Sequence, residues 1–178
     1  NGWNEHIADA ERTIYNHNIY IQADATDLVV RGNVLSNASS HGLQARSGGV
    51  MEDNLFIGNA LGMSFGLVLG AVDPLKDGVS GIVSGNVFME SNDISSDKPR
   101  GIGMELGNVS SATVSENLFL NDDSAASNAI SFKGNNGIGI KNLLLAENVS
   151  YNWRGGYEFK DGNYQNITIQ DNVLQQFD

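Results

Sequence analysis

His17 and His41 are two of only three histidines in this 178-residue chain, and they occupy the same point of a repeated phrase, NHNIYIQ (16–22) and SHGLQAR (40–46). An imidazole gives or takes a proton near neutral pH, because its unperturbed pKa is about 6.5. Tyr20 and Lys133 are further proton carriers on matching phrases, and Arg46 and Arg100 are guanidinium groups that could grip a carboxylate or sulfate with two parallel hydrogen bonds. Gln44, Ser64 and Glu105 add neutral and acidic hydrogen-bonding groups. The chemistry this set could perform is proton transfer beside a bound anion. His41, His17, Tyr20 and Lys133 are the candidate catalytic residues, with His41 favoured. Arg46, Arg100, Gln44, Glu105 and Ser64 are the candidate binding residues.

Residues scattered over more than a hundred positions act together only if the backbone stacks them, and the repeats say how. One phrase recurs as LVVRGNVL (28–35), GVMEDNLF (49–56), GIVSGNVF (81–88), ATVSENLF (112–119), LLLAENVS (143–150) and ITIQDNVL (167–174). Its fixed asparagine falls at Asn33, Asn54, Asn86, Asn117, Asn148 and Asn172, at spacings of 21, 32, 31, 31 and 24. A second phrase alternates with it: NIYIQ (18–22), GLQAR (42–46), GMSFG (62–66), GIGME (101–105), AISFK (129–133) and GYEFK (156–160). Alternating strand phrases with insertions of variable length predict a parallel β-solenoid of about six rungs, each stacked about 4.8 Å from the last. The asparagines are expected at a bend, where each amide bonds its neighbour in the next rung and satisfies turn backbone.

The alternation also assigns sides. Val30, Met51, Val83, Val114, Leu145 and Ile169 should form one inward stack, and Leu35, Phe56, Phe88, Phe119 and Leu174 another that Ser150 alone interrupts. In the second phrase, Ile19, Leu43, Met63, Ile102, Ile130 and Tyr157 should align. Outward from it run His17, His41, Leu61, Arg100, Asn128 and Gly155, then Tyr20, Gln44, Ser64, Gly103, Ser131 and Glu158, then Gln22, Arg46, Gly66, Glu105, Lys133 and Lys160. The third rung is nearly bare, and long connections follow it at 67–80 and 90–99. A trough at that rung, between Arg46 and Arg100, is the expected ligand site. The ladder phrase instead points Val29, Val50, Ile82, Val34 and Leu55 outward, a face that residues 1–16 or a second copy could cover.

Composition narrows the classes. A 40% hydrophobic content suits one domain with a core, 21 glycines against 2 prolines suit many strands and tight turns, and a net charge of −11 argues against nucleic acid as partner. With no cysteine, disulfides and thiol chemistry are excluded. No segment has the length of apolar sequence that a membrane span needs. The expected organisation is an N-terminal segment or partial cap at 1–16 and a single β-helix at 17–178. The chain, which begins at Asn1, is read as part of a longer one whose missing flanks, or another copy, cover its ends.

The asparagine ladder and the G-x-strand phrases, over about residues 17–176, resemble the right-handed parallel β-helix superfamily of pectate-lyase-like proteins, which includes polysaccharide lyases, uronan epimerases and phage tailspikes. The resemblance implies an all-β fold, a polysaccharide partner and a secreted or cell-surface location. No D-P-H of the alginate-epimerase kind is present. Hydrolysis is disfavoured, because the outward carboxylates Glu105 and Glu158 should stand roughly 12 Å apart, beyond the usual range for a glycosidase pair. Elimination or epimerisation at a uronate needs a cation on the carboxylate, a base for the C5 proton and an acid, which the arginines, histidines and Tyr20 could supply. The function expected is therefore a polysaccharide lyase or C5-epimerase, with a non-catalytic glycan-binding or structural module of adhesin or tailspike type as the alternative. No cofactor is required, and Ca²⁺ dependence is left open. The bland readings are equally concrete: the histidines as a side-chain ladder, Glu105 with Lys133 as a surface ion pair, and Asp53, Glu116, Glu147, Asp171, Asp122 and Asp123 as turn residues.

Overall fold

The computed structural model describes residues 11–67, 73–122 and 128–175. The chain winds through six rungs of three strands each. The first rung has β1 (Ile19–Ile21), β2 (Val29–Arg31) and β3 (Val34–Ser36); the second has β4 (His41–Ala45), β5 (Gly49–Glu52) and β6 (Leu55–Ile57). The third has β7 (Leu61–Phe65), β8 (Val79–Ser84) and β9 (Val87–Met89), and the fourth β10 (Ile102–Gly107), β11 (Val109–Ser115) and β12 (Leu118–Leu120). The fifth has β13 (Asn128–Lys133), β14 (Ile140–Ala146) and β15 (Val149–Tyr151), and the sixth β16 (Gly155–Lys160), β17 (Tyr164–Gln170) and β18 (Val173–Gln175). Corresponding strands pair in parallel into three six-stranded sheets, ordered β1-β4-β7-β10-β13-β16, β2-β5-β8-β11-β14-β17 and β3-β6-β9-β12-β15-β18. This is the expected parallel β-helix. The ladder phrase, however, serves two sheets rather than one, because it folds at its asparagine.

That bend is built as the sequence predicts. Each asparagine from Asn33 to Asn148 has its backbone N–H and side-chain Nδ2 donating to Oδ1 of the next asparagine, at 2.9–3.1 Å. Asn86, Asn117 and Asn148 also donate to carbonyls of the preceding rung at Met51, Val83 and Val114. The residue before the asparagine must take a left-handed conformation to turn the corner, so Asp53, Glu116, Glu147 and Asp171 all have positive φ, of 54–58°. They are turn residues. Gly32 and Gly85 fill the same point in the other rungs.

Packing follows the alternation. Met51, Val83, Val114 and Leu145 are fully buried in the second sheet, and Phe56, Phe88 and Phe119 stack in the third with ring centroids 4.6 and 4.7 Å apart. Each such side chain contributes roughly 1.5–3 kcal/mol through burial. The first sheet comes close to these rings. A Cβ on Gly42, Gly62 or Gly103 would lie 3.0 Å or less from Phe56, Phe88 or Phe119 respectively, so only glycine fits in those rungs.

This contact corrects the expected register of the fourth rung. Met104 pairs with Met63 and Ile130, Glu105 with Ser64 and Ser131, and Leu106 with Phe65 and Phe132. The rung is therefore shifted by two residues from the sequence-based alignment, which put Ile102 beside Met63. Gly101-Ile102 and Gly103-Met104 offer the same small-then-apolar phrase, and Gly103 is the one held under Phe119. Ile102 takes the column position expected for Arg100, and Gly107 the one expected for Glu105.

Of the expected N-terminal cap, residues 1–10 lie outside the described residues. Residues 11–16 bond to the connections after β3 and β9: Thr13 N–H donates to Ser39 Oγ at 3.1 Å, Ser40 N–H to the Asn16 carbonyl at 3.1 Å, and Arg12 Nη1 to the Asp93 carbonyl at 2.9 Å. These bonds do not place the segment on the outer face of the second sheet. There Ile82 remains 41% exposed and Val50 is half-buried, as is Leu55 on the adjoining third sheet.

Candidate functional site

The outer face of the first sheet brings the predicted residues together at one end, around its first two rungs. His17 precedes β1 and His41 opens β4, and their rings stack with centroids 4.8 Å apart and planes 20° apart. The Tyr20 ring meets His17 edge-on at 5.2 Å. The Arg46 guanidinium lies 4.8 Å from the centroid of the Tyr20 ring, within cation–π range. Gln44 is in register with Tyr20 on one side and Ser64 on the other. His17, Tyr20, His41, Gln44 and Arg46 thus form one cluster, with Ser64 on its inner edge.

Backbone and side-chain partners fix how these groups are presented. His17 Nδ1 lies 2.8 Å from the Tyr15 carbonyl oxygen, which can only accept, so Nδ1 carries the hydrogen and Nε2 keeps the lone pair. His41 Nδ1 is 2.8 Å from Ser40 Oγ. Burial, then the neighbouring charges of His17, Arg100 and Arg46, lower the His41 pKa to about 3. For His17, burial outweighs the bond to the Tyr15 carbonyl, and the Arg46 charge adds to it, so its pKa also lies below the ordinary value. Both imidazoles are neutral at pH 7.

Arg46 is the most unusual member. It is only 8% exposed, its Nε has no hydrogen-bond partner, and its Nη1 reaches Gln22 Oε1 at a long 3.5 Å. Among the described residues it has no carboxylate partner, whereas Arg31 pairs with Glu52, Lys133 with Glu105 and Lys160 with Glu158. A buried cation without a counter-charge is costly unless something anionic joins it. Ser64, fully buried, also has an unpartnered Oγ.

Other expected members lie elsewhere. Lys133 is on the fifth rung, three rungs or roughly 14 Å along the stack from His41, and its Nζ is 3.0 Å from Glu105 Oε1. That ion pair is largely buried rather than at the surface, with side chains 20% and 9% exposed. Arg100 is exposed on the connection before β10, where its N–H donates to Asp93 Oδ1 at 2.6 Å, and it reaches the cluster only through its charge. The bare third rung is no open trough, since Leu61, Ser64 and Gly66 are all buried. The corrected register also puts Glu105 and Glu158 in one column, two rungs or roughly 10 Å apart, instead of the 12 Å expected. Each is tied to a lysine. Glu158 also accepts from Asn128 Nδ2 at 2.9 Å and Ser131 Oγ at 3.0 Å. Burial works to raise its pKa, but the bonds from Lys160 and Ser131 and the lysine charges hold it below the usual range, which is the wrong direction for a general acid.

Sequence reasoning did not single out Ser40 or the Tyr15 carbonyl, the two groups that orient the imidazoles. Ser40 was visible as the hydroxyl next to His41, whereas a backbone carbonyl leaves no trace in residue type. Among the described residues no three His, Asp or Glu side chains converge as a metal-ligand set. Asp123 lies outside the described residues, and Asp122 is an exposed bend. No protein-family model matches the chain, and no curated protein or solved structure does so significantly.

Proposed function

We propose that this chain is a carbohydrate-active β-helix that acts as a lyase or C5-epimerase on a uronic-acid-containing polysaccharide, outside the cell or at its surface. The observation that carries the reading is the buried, unpaired guanidinium of Arg46 beside two neutral imidazoles and a phenol. Arg46 would hold the sugar carboxylate and so make the C5 proton more acidic. His17 would remove that proton through Nε2, whose lone pair the Tyr15 carbonyl keeps free. Tyr20, 41% exposed, would serve the opposite side as acid. His41 stacks beneath His17 and positions it; its pKa of about 3 makes it the weaker base.

The alternative is a glycan-binding module without turnover, and that same depressed pKa favours it. A panel of polyuronates separates the two. Elimination creates a carbon–carbon double bond that absorbs in the ultraviolet, and epimerisation exchanges the C5 proton with solvent. Arg46→Gln should abolish binding, while His17→Gln should abolish turnover and keep binding. Binding without either reaction supports the module, and failure to bind any polyuronate defeats the lyase or epimerase reading.

A further inference from the structure

The inward column of the third sheet runs Leu35, Phe56, Phe88, Phe119, Ser150 and Leu174. Its three phenyl rings stack within 5° of parallel, and then the stack stops. At the fifth rung Ser150 replaces the ring, and Ala129 stands where the neighbouring rungs have Gly103 and Gly156. One added methyl does not replace a lost phenyl. Beside Ser150 the structure has a pocket of about 300 Å³ lined by Ser150, Trp153, Gly156, Tyr157, Leu174 and Gln175. Gly156, Tyr157, Leu174 and Gln175 of its lining belong to the sixth rung, where Leu174 is 52% exposed.

An independent feature points to a ligand. Trp153 is 2% exposed, and its indole Nε1–H has no hydrogen-bond partner. A buried donor left unpaired is costly and rare. The Tyr157 hydroxyl, by contrast, is committed, donating to Asn172 Oδ1 at 3.0 Å.

We propose that this pocket binds a small, neutral aromatic ring bearing one hydrogen-bond-accepting oxygen, of which phenol is the simplest case. The volume suits one substituted ring and lies at the small end of ligand pockets. No ionised side chain lines it, so a charged ligand would be desolvated without compensation. A hexose is matched poorly, because its hydroxyls outnumber the polar groups of Ser150, Trp153 and Gln175. The pocket lies on the fifth and sixth rungs and is separate from the Arg46 cluster on the first and second.

Phenol titrated into the whole chain, followed by the indole N–H resonance of Trp153, tests this. The resonance, assigned from its loss in Trp153→Phe, should shift saturably. Ser150→Phe should fill the pocket and weaken binding by about tenfold or more, and Ser150→Leu provides the same test if the phenyl is not tolerated. Toluene, which lacks the oxygen, should bind about tenfold more weakly than phenol. The proposal is overturned by an unsaturated response up to the solubility of phenol, by unchanged affinity in the folded filling variant, by equal binding of toluene, or by a pocket that takes glucose in preference to phenol.

Discussion

His41 shows how position converts an ordinary side chain into a constraint on the molecule. Its pKa of about 3 reflects burial first and then the charges of His17, Arg100 and Arg46. In the unfolded chain the same imidazole titrates near 6.5, so between these values the unfolded state binds a proton that the folded state refuses. Stability must therefore fall as the pH drops below about 6.5, by up to about 1.4 kcal/mol per pH unit for this one group. His17 acts in the same direction. Ordinary carboxylates barely titrate between about pH 7 and pH 5, which isolates the histidine contribution. Urea denaturation across that interval should show the wild type losing stability and His41→Gln losing distinctly less. Equal pH slopes in the two proteins would mean that His41 is not held neutral. The residue types of this cluster were legible in the sequence because the repeat aligned them: His17 above His41, Tyr20 beside Gln44. The electrostatic state was not, since it depends on how far each ring is removed from water and on which carbonyl His17 meets.

At the scale of elements, the asparagine bend is the most economical device in the fold. Asn117 accepts from both the N–H and the Nδ2 of Asn86, while its own amide reaches the carbonyls of Val83 and Ser115 and the side chain of Asn148. Replacing it by Ala should strand several of these buried groups and cost about 1–3 kcal/mol, measured as a shift in the denaturation midpoint at constant slope. A change below a few tenths of a kcal/mol would show that the ladder does not share the load in this way. The ladder was legible because an asparagine at one fixed point of six phrases marks a backbone need that every rung repeats. The fourth rung was not. Its shift is two residues, which keeps every inward residue inward, so hydrophobic alternation is the same in both frames. Only the contact between Gly103 and Phe119, made between different sheets, separates the two alignments. That ambiguity misplaced Arg100 and Glu105 as the far wall of the expected trough, while the trough itself was read from the small side chains of the third rung, which is in fact sealed.

Across the whole molecule, stability is distributed along one axis, because each rung touches chiefly the rungs on either side. The inward columns show the gradient directly. In the second sheet, Val114 and Leu145 are fully buried and Ile169 of the last rung is 51% exposed; in the third, Phe119 is fully buried and Leu174 is 52% exposed; in the first, Phe132 is fully buried and Phe159 is 40% exposed. Strands β16, β17 and β18 each pair on one side only within the described fold. Separating the sixth rung thus breaks one layer of backbone bonds and uncovers side chains already half in water, whereas opening a central rung breaks two layers and exposes a closed core. Native-state hydrogen exchange should therefore run fastest in β16–β18 and slowest in β10–β15, with the single-chain sample fraying rung by rung from that end. Uniform protection across all six rungs would show instead that the sixth is covered in solution, and comparison of dilute with concentrated protein would then reveal whether a second copy provides the cover.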